Sequence, residues 1–209
     1  MKFYDCSTAP SPRRVRIFIA EKGLDIPTVQ VDLRNGEHLT ESFRKLNPWC
    51  TVPVLELDDG TTVSEAVAVC RYLEETRPEP PLMGVDARDR ARVAMWEHRF
   101  EIDGFLAVTE AFRNQARGLK GRALTGPDGA EQIPELVQRG RARVERFFAD
   151  LDRQLADHPF VTGERYTIAD ITAQVTVDFA GWIKMSLPPE CRHATDWYER
   201  VSQRPSAAA

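Results

Sequence analysis

Along the first third of the chain, apolar positions fall in short runs separated by breakers; beyond it they recur at helical spacing. Residues 2–4 have a strand pattern. Val15, Phe18 and Ile19 put one apolar stripe on a helix predicted over 12–22. Ser11 stands where an N-cap is expected, Pro12 at the first helical position and Gly23 just past the end. A second strand is predicted over 26–33 and a short helix over 40–46. The runs 54–57 and 61–63 flank Asp59-Gly60, a pair that predicts a hairpin turn, and a helix follows over 65–75. The order β-α-β-α-β-β-α predicts a small mixed sheet flanked by helices.

Arg77-Pro-Glu-Pro-Pro-Leu-Met-Gly84 ends that pattern, because closely spaced prolines suit a stiff linker. Helices are then predicted over 87–117, 133–156, 168–183 and 189–202, with a glycine-rich loop over 118–134. The expected division is an α/β domain at 1–76, a linker at 77–86 and an all-α domain at 87–209. Thr167-Ile-Ala-Asp170 has the spacing of a capping box, with Tyr166 and Ile171 placed as a hydrophobic staple. Such capping is worth about 1 kcal/mol, and the motif is assigned to stability and not to chemistry.

Composition narrows the function more than the fold. A net charge of −4 with no lysine-rich face argues against a nucleic-acid binder. No apolar run reaches membrane-spanning length and Met1-Lys-Phe-Tyr-Asp5 lacks a signal-peptide layout, so a cytoplasmic protein is expected. The cysteines at 6, 50, 70 and 191 are scattered without a C-x-x-C pair, so neither a metal site nor a redox dithiol is expected.

The candidate chemistry lies in 47–66. Pro53 interrupts an apolar run where a strand should pair, and a proline at the head of a strand suits an edge, a bulge or a cis peptide. Backbone left unpaired beside it can accept an extended peptide as an added strand. A short peptide is therefore expected alongside Val52, with the helix start at Glu65 and Ala66 just beyond.

In Val52-Pro-Val-Leu55, Ser64-Glu-Ala-Val-Ala-Val69 with Tyr72-Leu73, Gly36-Glu-His38 and Thr167-Ile-Ala-Asp170, the chain resembles a cytosolic glutathione transferase over nearly its whole length. Pro10-Ser-Pro-Arg-Arg-Val-Arg-Ile17 and residues 52–60 are most similar to an atypical fungal and bacterial branch near the theta-like classes. The resemblance implies a thioredoxin-like α/β N-terminal domain plus an all-α C-terminal domain, the glutathione transferase fold. It further implies a homodimer, with glutathione as co-substrate and a small hydrophobic electrophile as second substrate. Carried onto this chain, it gives Glu65 to the ammonium of the γ-glutamyl end and the N–H groups at Glu65 and Ala66 to the adjoining carboxylate. Ala66 lacks the hydroxyl that family members usually have there. Val52 would hold the central cysteine through its backbone, with Pro53 cis, while His38 and Thr51 would receive the glycyl end. Plainer readings stand beside these: Glu65 complementing the helix dipole, an ordinary edge proline and a surface histidine.

Catalysis requires a thiolate. Lowering a thiol pKa from about 8.5 by roughly two units takes about 2.7 kcal/mol, which one hydroxyl donor and a helix N-terminus could supply. Most classes of the family carry Tyr, Ser or Cys at the end of the first strand; here that position falls on Ala9. The substitutes are Ser11, which also reads as a plain N-cap, Thr8, Ser7 and Cys6; a different source is the long helix of the second domain, with Thr109. Thr109, Arg113 and Asn114 read equally as solvated or dimer-facing surface, and Cys6 stands too far back to serve as a nucleophile. Phe105, Phe112 and the loop 118–134 could line the electrophile pocket or simply pack the core, and Arg13, Arg14 and Arg16 read as a solvated face. The expected function is activation of glutathione for attack on electrophiles. The alternative is a non-catalytic binding or scaffold protein, favoured by Ala9 and Ala66. A thioltransferase would need a cysteine within 9–12, and none is there.

Overall fold

The computed structural model describes residues 1–209. Strand β1 (Lys2–Asp5) turns Phe3 and Asp5 inward, as period-two alternation requires. It pairs in parallel with β2 (Thr28–Gln30) and antiparallel with β3 (Val54–Glu56), which pairs antiparallel with β4 (Thr62–Ser64). The sheet order is therefore β2-β1-β3-β4, with α1 (Pro10–Glu21) crossing between the two parallel strands. The β3–β4 turn falls at Asp59-Gly60, where Gly60 takes φ +84° and Thr61 N–H donates to Asp59 Oδ1 (2.9 Å). After a single 3-10 turn at Glu37–Leu39 comes α2 (Glu41–Leu46), and α3 (Ala66–Thr76) follows β4.

The second half is helical. α4 (Ala87–Phe100) runs through a π-helical turn, Glu101–Phe105, into α5 (Leu106–Gln115). The continuous helix expected over 87–117 is thus broken where Gly104 meets Phe147, whose ring would stand 2.8 Å from any Cβ. Next come α6 (Pro134–Leu155), α7 (Ile168–Ala180) and α8 (Arg192–Ser202). α7 is buried along almost its whole length, and the predicted capping box at Thr167 and Asp170 is formed. An apolar core of 38 buried residues runs through both halves without interruption, so the halves are packed and not merely tethered. Lys22 pins the linker between them: its buried ammonium donates to the carbonyls of Arg77 (2.8 Å) and Pro80 (2.6 Å).

Three local expectations need correction. The strand expected over 26–33 pairs only at 28–30, because its single neighbour β1 is itself short. α1 begins at Pro10 with Ala9 as N-cap, so Ser11 lies inside the first turn and is not the cap. Pro10 suits the first helical position as well as Pro12 does. Arg13, Arg14 and Arg16 are no solvated face: they pair with Asp178, Glu101 and Asp5 respectively.

Candidate functional site

Strand register brings the candidate residues to one end of the sheet. Tyr4 lies opposite Val54 and Val54 opposite Ser64. The chain beyond β1, leading to α1, therefore shares an end of the sheet with Val52-Pro53 before β3 and Glu65-Ala66 after β4. β2 runs parallel to β1 and ends on the same side, leading to His38. Ligands of α/β sheets bind in such crevices, outside the carboxyl ends of parallel strands.

The Val52–Pro53 peptide is cis, as expected. Val52 N–H and C=O make no hydrogen bond within the chain, while its side chain packs with Val31, Phe43 and Val54. Thr51 is held from behind, its carbonyl and hydroxyl oxygens accepting from Asn47 Nδ2 (2.9 and 3.0 Å). Glu65 takes φ +70°, a costly conformation for a side-chain-bearing residue that tends to persist at ligand sites. It leaves α3 without a side-chain cap, so the first N–H groups of that helix, Ala66 included, have no partner there. Glu65 is exposed and Ala66 buried.

The α1 N-terminus offers one free backbone donor. Pro10 and Pro12 have no N–H, and Arg13 N–H reaches back to Ala9 O (3.4 Å). Ser11 N–H makes no bond within the chain. Ser11 Oγ accepts from Arg14 Nη2 (3.2 Å), which occupies a lone pair and leaves the hydroxyl proton free to be donated elsewhere. Arg14 is buried; it donates to Glu101 (2.8 Å), faces Glu97 at 3.9 Å and lies 4.3 Å over the Phe105 ring. Burial, with the like charge of Glu101 beside it, pushes the Glu97 carboxyl up to about 7, against the pull of Arg14. Sequence reading missed this knot. Its only local signal is the i, i+3 spacing of Ser11 and Arg14.

Thr109 sits one turn beyond Phe105 and donates its hydroxyl proton to Phe105 O (2.9 Å). Asn114 is buried, and Arg113 donates to the carbonyls of Arg122 (2.6 Å) and Ala123 (3.2 Å), so neither is free surface. His38 is buried too. Burial and the neighbouring Arg122 and Arg113 hold its pKa below the usual imidazole value. Phe105 and Phe112 both pack on Phe179, and Phe112 also meets the half-exposed Trp182, forming an aromatic wall that starts under Arg14. No helix is long and apolar enough to cross a membrane.

Comparison with known proteins agrees with this fold. A family model described as "Glutathione S-transferase, N-terminal domain" matches residues 8–76, and one described as "Glutathione S-transferase, C-terminal domain" matches 134–200. Glutathione S-transferase 2 of Saccharomyces cerevisiae is 34% identical over 99% of this chain and 87% of its own length. The crystal structure of a glutathione S-transferase domain-containing protein from Marinobacter aquaeolei superposes with a TM-score of 0.91 at 40% identity, covering 99% of both chains. That of Gtt2 from Saccharomyces cerevisiae gives 0.90 at 33% identity, covering 99% of this chain and 98% of the other.

Proposed function

The chain belongs to the glutathione S-transferase family, and from that premise we propose that it binds glutathione at the sheet end just described and activates the thiol for attack on small hydrophobic electrophiles. The observation that carries the reading is the unpaired backbone of Val52 beside the uncapped start of α3 at Glu65. Val52 would pair with the cysteinyl residue as an added strand; the α3 N–H groups at Ala66 would take the γ-glutamyl carboxylate, and Glu65 its ammonium. His38 and Thr51 belong to the glycyl end. In the reaction the thiol gives its proton to solvent, the thiolate forms a carbon–sulfur bond, and a leaving group such as chloride departs with its electron pair.

Ser11 is the principal candidate for stabilising the thiolate, through its unpaired N–H and the free hydroxyl proton. Thr109 ranks second, since it would first have to release Phe105 O. The aromatic wall of Phe105, Phe112 and Trp182 suits the electrophile. We place the glutathione-binding domain at 1–76, the linker at 77–86 and the helical domain at 87–209, in a cytoplasmic homodimer that needs no metal.

Calorimetry with millimolar glutathione should show saturable binding, and the protein should conjugate a chlorinated nitroaromatic. Absence of binding at that concentration overturns the reading. Ala9, which brings no side-chain donor to the α1 cap, favours a second reading as a non-catalytic binder. Titration of the bound thiol by its ultraviolet absorbance separates the two: the enzyme lowers its pKa and the binder leaves it unchanged.

A further inference from the structure

The segment 117–133 between α5 and α6 leaves the helical half and returns to it, and it is tightly held. Arg113 clasps the carbonyls of Arg122, Ala123 and Leu124. Gln132 Nε2 donates to Arg113 O and Ala116 O (both 2.8 Å), and Ile133 N–H to Asn114 Oδ1 (2.8 Å). Arg122 and Ala130 bridge the base of the loop. So held, the loop reaches the thioredoxin-like half at two points, one at its base and one further along. Arg122 Nη2 stands 3.4 Å from His38 Nε2, and a Cβ on Gly126 would stand 3.4 Å from Trp49 O. Trp49 lies two residues before Thr51 in the chain.

The charges at this contact are unbalanced. The Arg122 guanidinium makes this one hydrogen bond and no ion pair. A guanidinium can only donate, so His38 Nε2 is the acceptor, and in the neutral ring the proton sits on Nδ1. Nδ1 is buried and has no partner. An arginine, a second arginine behind it and an imidazole whose pKa is held down by burial and by both cations thus meet with no ion pair among them.

We propose that Arg122 is a specificity-determining residue, a guanidinium delivered from the helical half to bind the glycyl carboxylate of glutathione together with His38. The inference rests on the glutathione reading above. Two N–H donors of Arg122 match the two oxygens of a carboxylate, a fit that a lysine cannot reproduce. γ-Glutamylcysteine ends one residue earlier, so its terminal carboxylate falls about 3.5 Å short of that position. Arg122 would therefore separate the tripeptide from the dipeptide, while Val52, Glu65 and Ala66 serve both alike.

The test is calorimetry of the full chain and of Arg122→Ala and Arg122→Lys with each ligand. The wild type is expected to bind glutathione more tightly than γ-glutamylcysteine. Arg122→Ala should weaken glutathione about fivefold, the scale of one partly solvated charged contact, and leave γ-glutamylcysteine unchanged. Arg122→Lys should fall between. Equal weakening of both ligands, or of neither, overturns the proposal. A wild type that binds neither ligand removes the functional reading itself, and is told apart because the failure then precedes any substitution.

Discussion

Asp170 and Glu97 are both buried carboxylates in the helical half, and burial raises both, to about 6 and about 7. Their surroundings differ. Asp170 accepts from Val161 N–H (2.9 Å), Trp197 Nε1 (3.0 Å), and Thr167 through both its N–H (3.0 Å) and its hydroxyl (3.1 Å). Glu97 accepts one hydroxyl, from Thr172 (3.3 Å), and faces Arg14, which Glu101 holds more closely. The first network is closed and joins the segment before α7, its cap and α8. The second is open and leads through Arg14 to Ser11 at the candidate site. Depth of burial therefore does not assign a role to an acid; the set of partners does.

Removing Asp170 should have the largest effect. Asp170→Ala leaves buried donors without an acceptor and should cost about 3–5 kcal/mol of stability in denaturant titration. Glutathione affinity of the folded fraction should stay unchanged; lost affinity at intact stability would break the contrast. Glu97 should show itself through pH. Its folded pKa of about 7 lies above the ordinary 4.5, so the folded state binds that proton more tightly. The resulting stabilisation is full below the ordinary value and is lost as pH rises toward 7. Glu97→Gln lacks this dependence, so the stability of the wild type relative to the variant should fall by up to about 3 kcal/mol between pH 4.5 and 8. A constant difference across that range would show that Glu97 does not titrate there. The smallest effect is expected at Ser11. Ser11→Ala should raise the pKa of bound glutathione thiol by about one unit, or about 1.4 kcal/mol, and should cost about 1 kcal/mol of stability, since the buried Arg14 loses the acceptor for its Nη2. An unmoved thiol pKa sinks the role of the hydroxyl.

What could be read in advance follows from the range of the forces involved. Val52-Pro53, the hairpin at Asp59-Gly60 and the Thr167–Asp170 cap are written within a few residues of one another, and all were legible. The start of α1 was not, because Pro10 and Pro12 both qualify for the first helical position and Ser11 fits a cap as readily as a first turn. Nor were the arginines. Arg14 finds Glu101 87 positions later and Arg13 finds Asp178 165 positions later, distances at which spacing along α1 carries no signal. The π turn at Glu101–Phe105 likewise stands where Phe147 of another helix packs so close to Gly104 that a Cβ there would clash.

By itself the chain's order of residues determined the alternation of strands and helices in the first half, the helical second half and the cis peptide at Val52–Pro53. These rest on dihedral preferences and caps that act between neighbours. Only the tertiary structure decided which charges are buried, that Arg14 stands beneath Ser11, and that Arg122 reaches His38 from the other half. Such pairings are set by the packing of distant elements, and the free energy of a charge depends on what surrounds it.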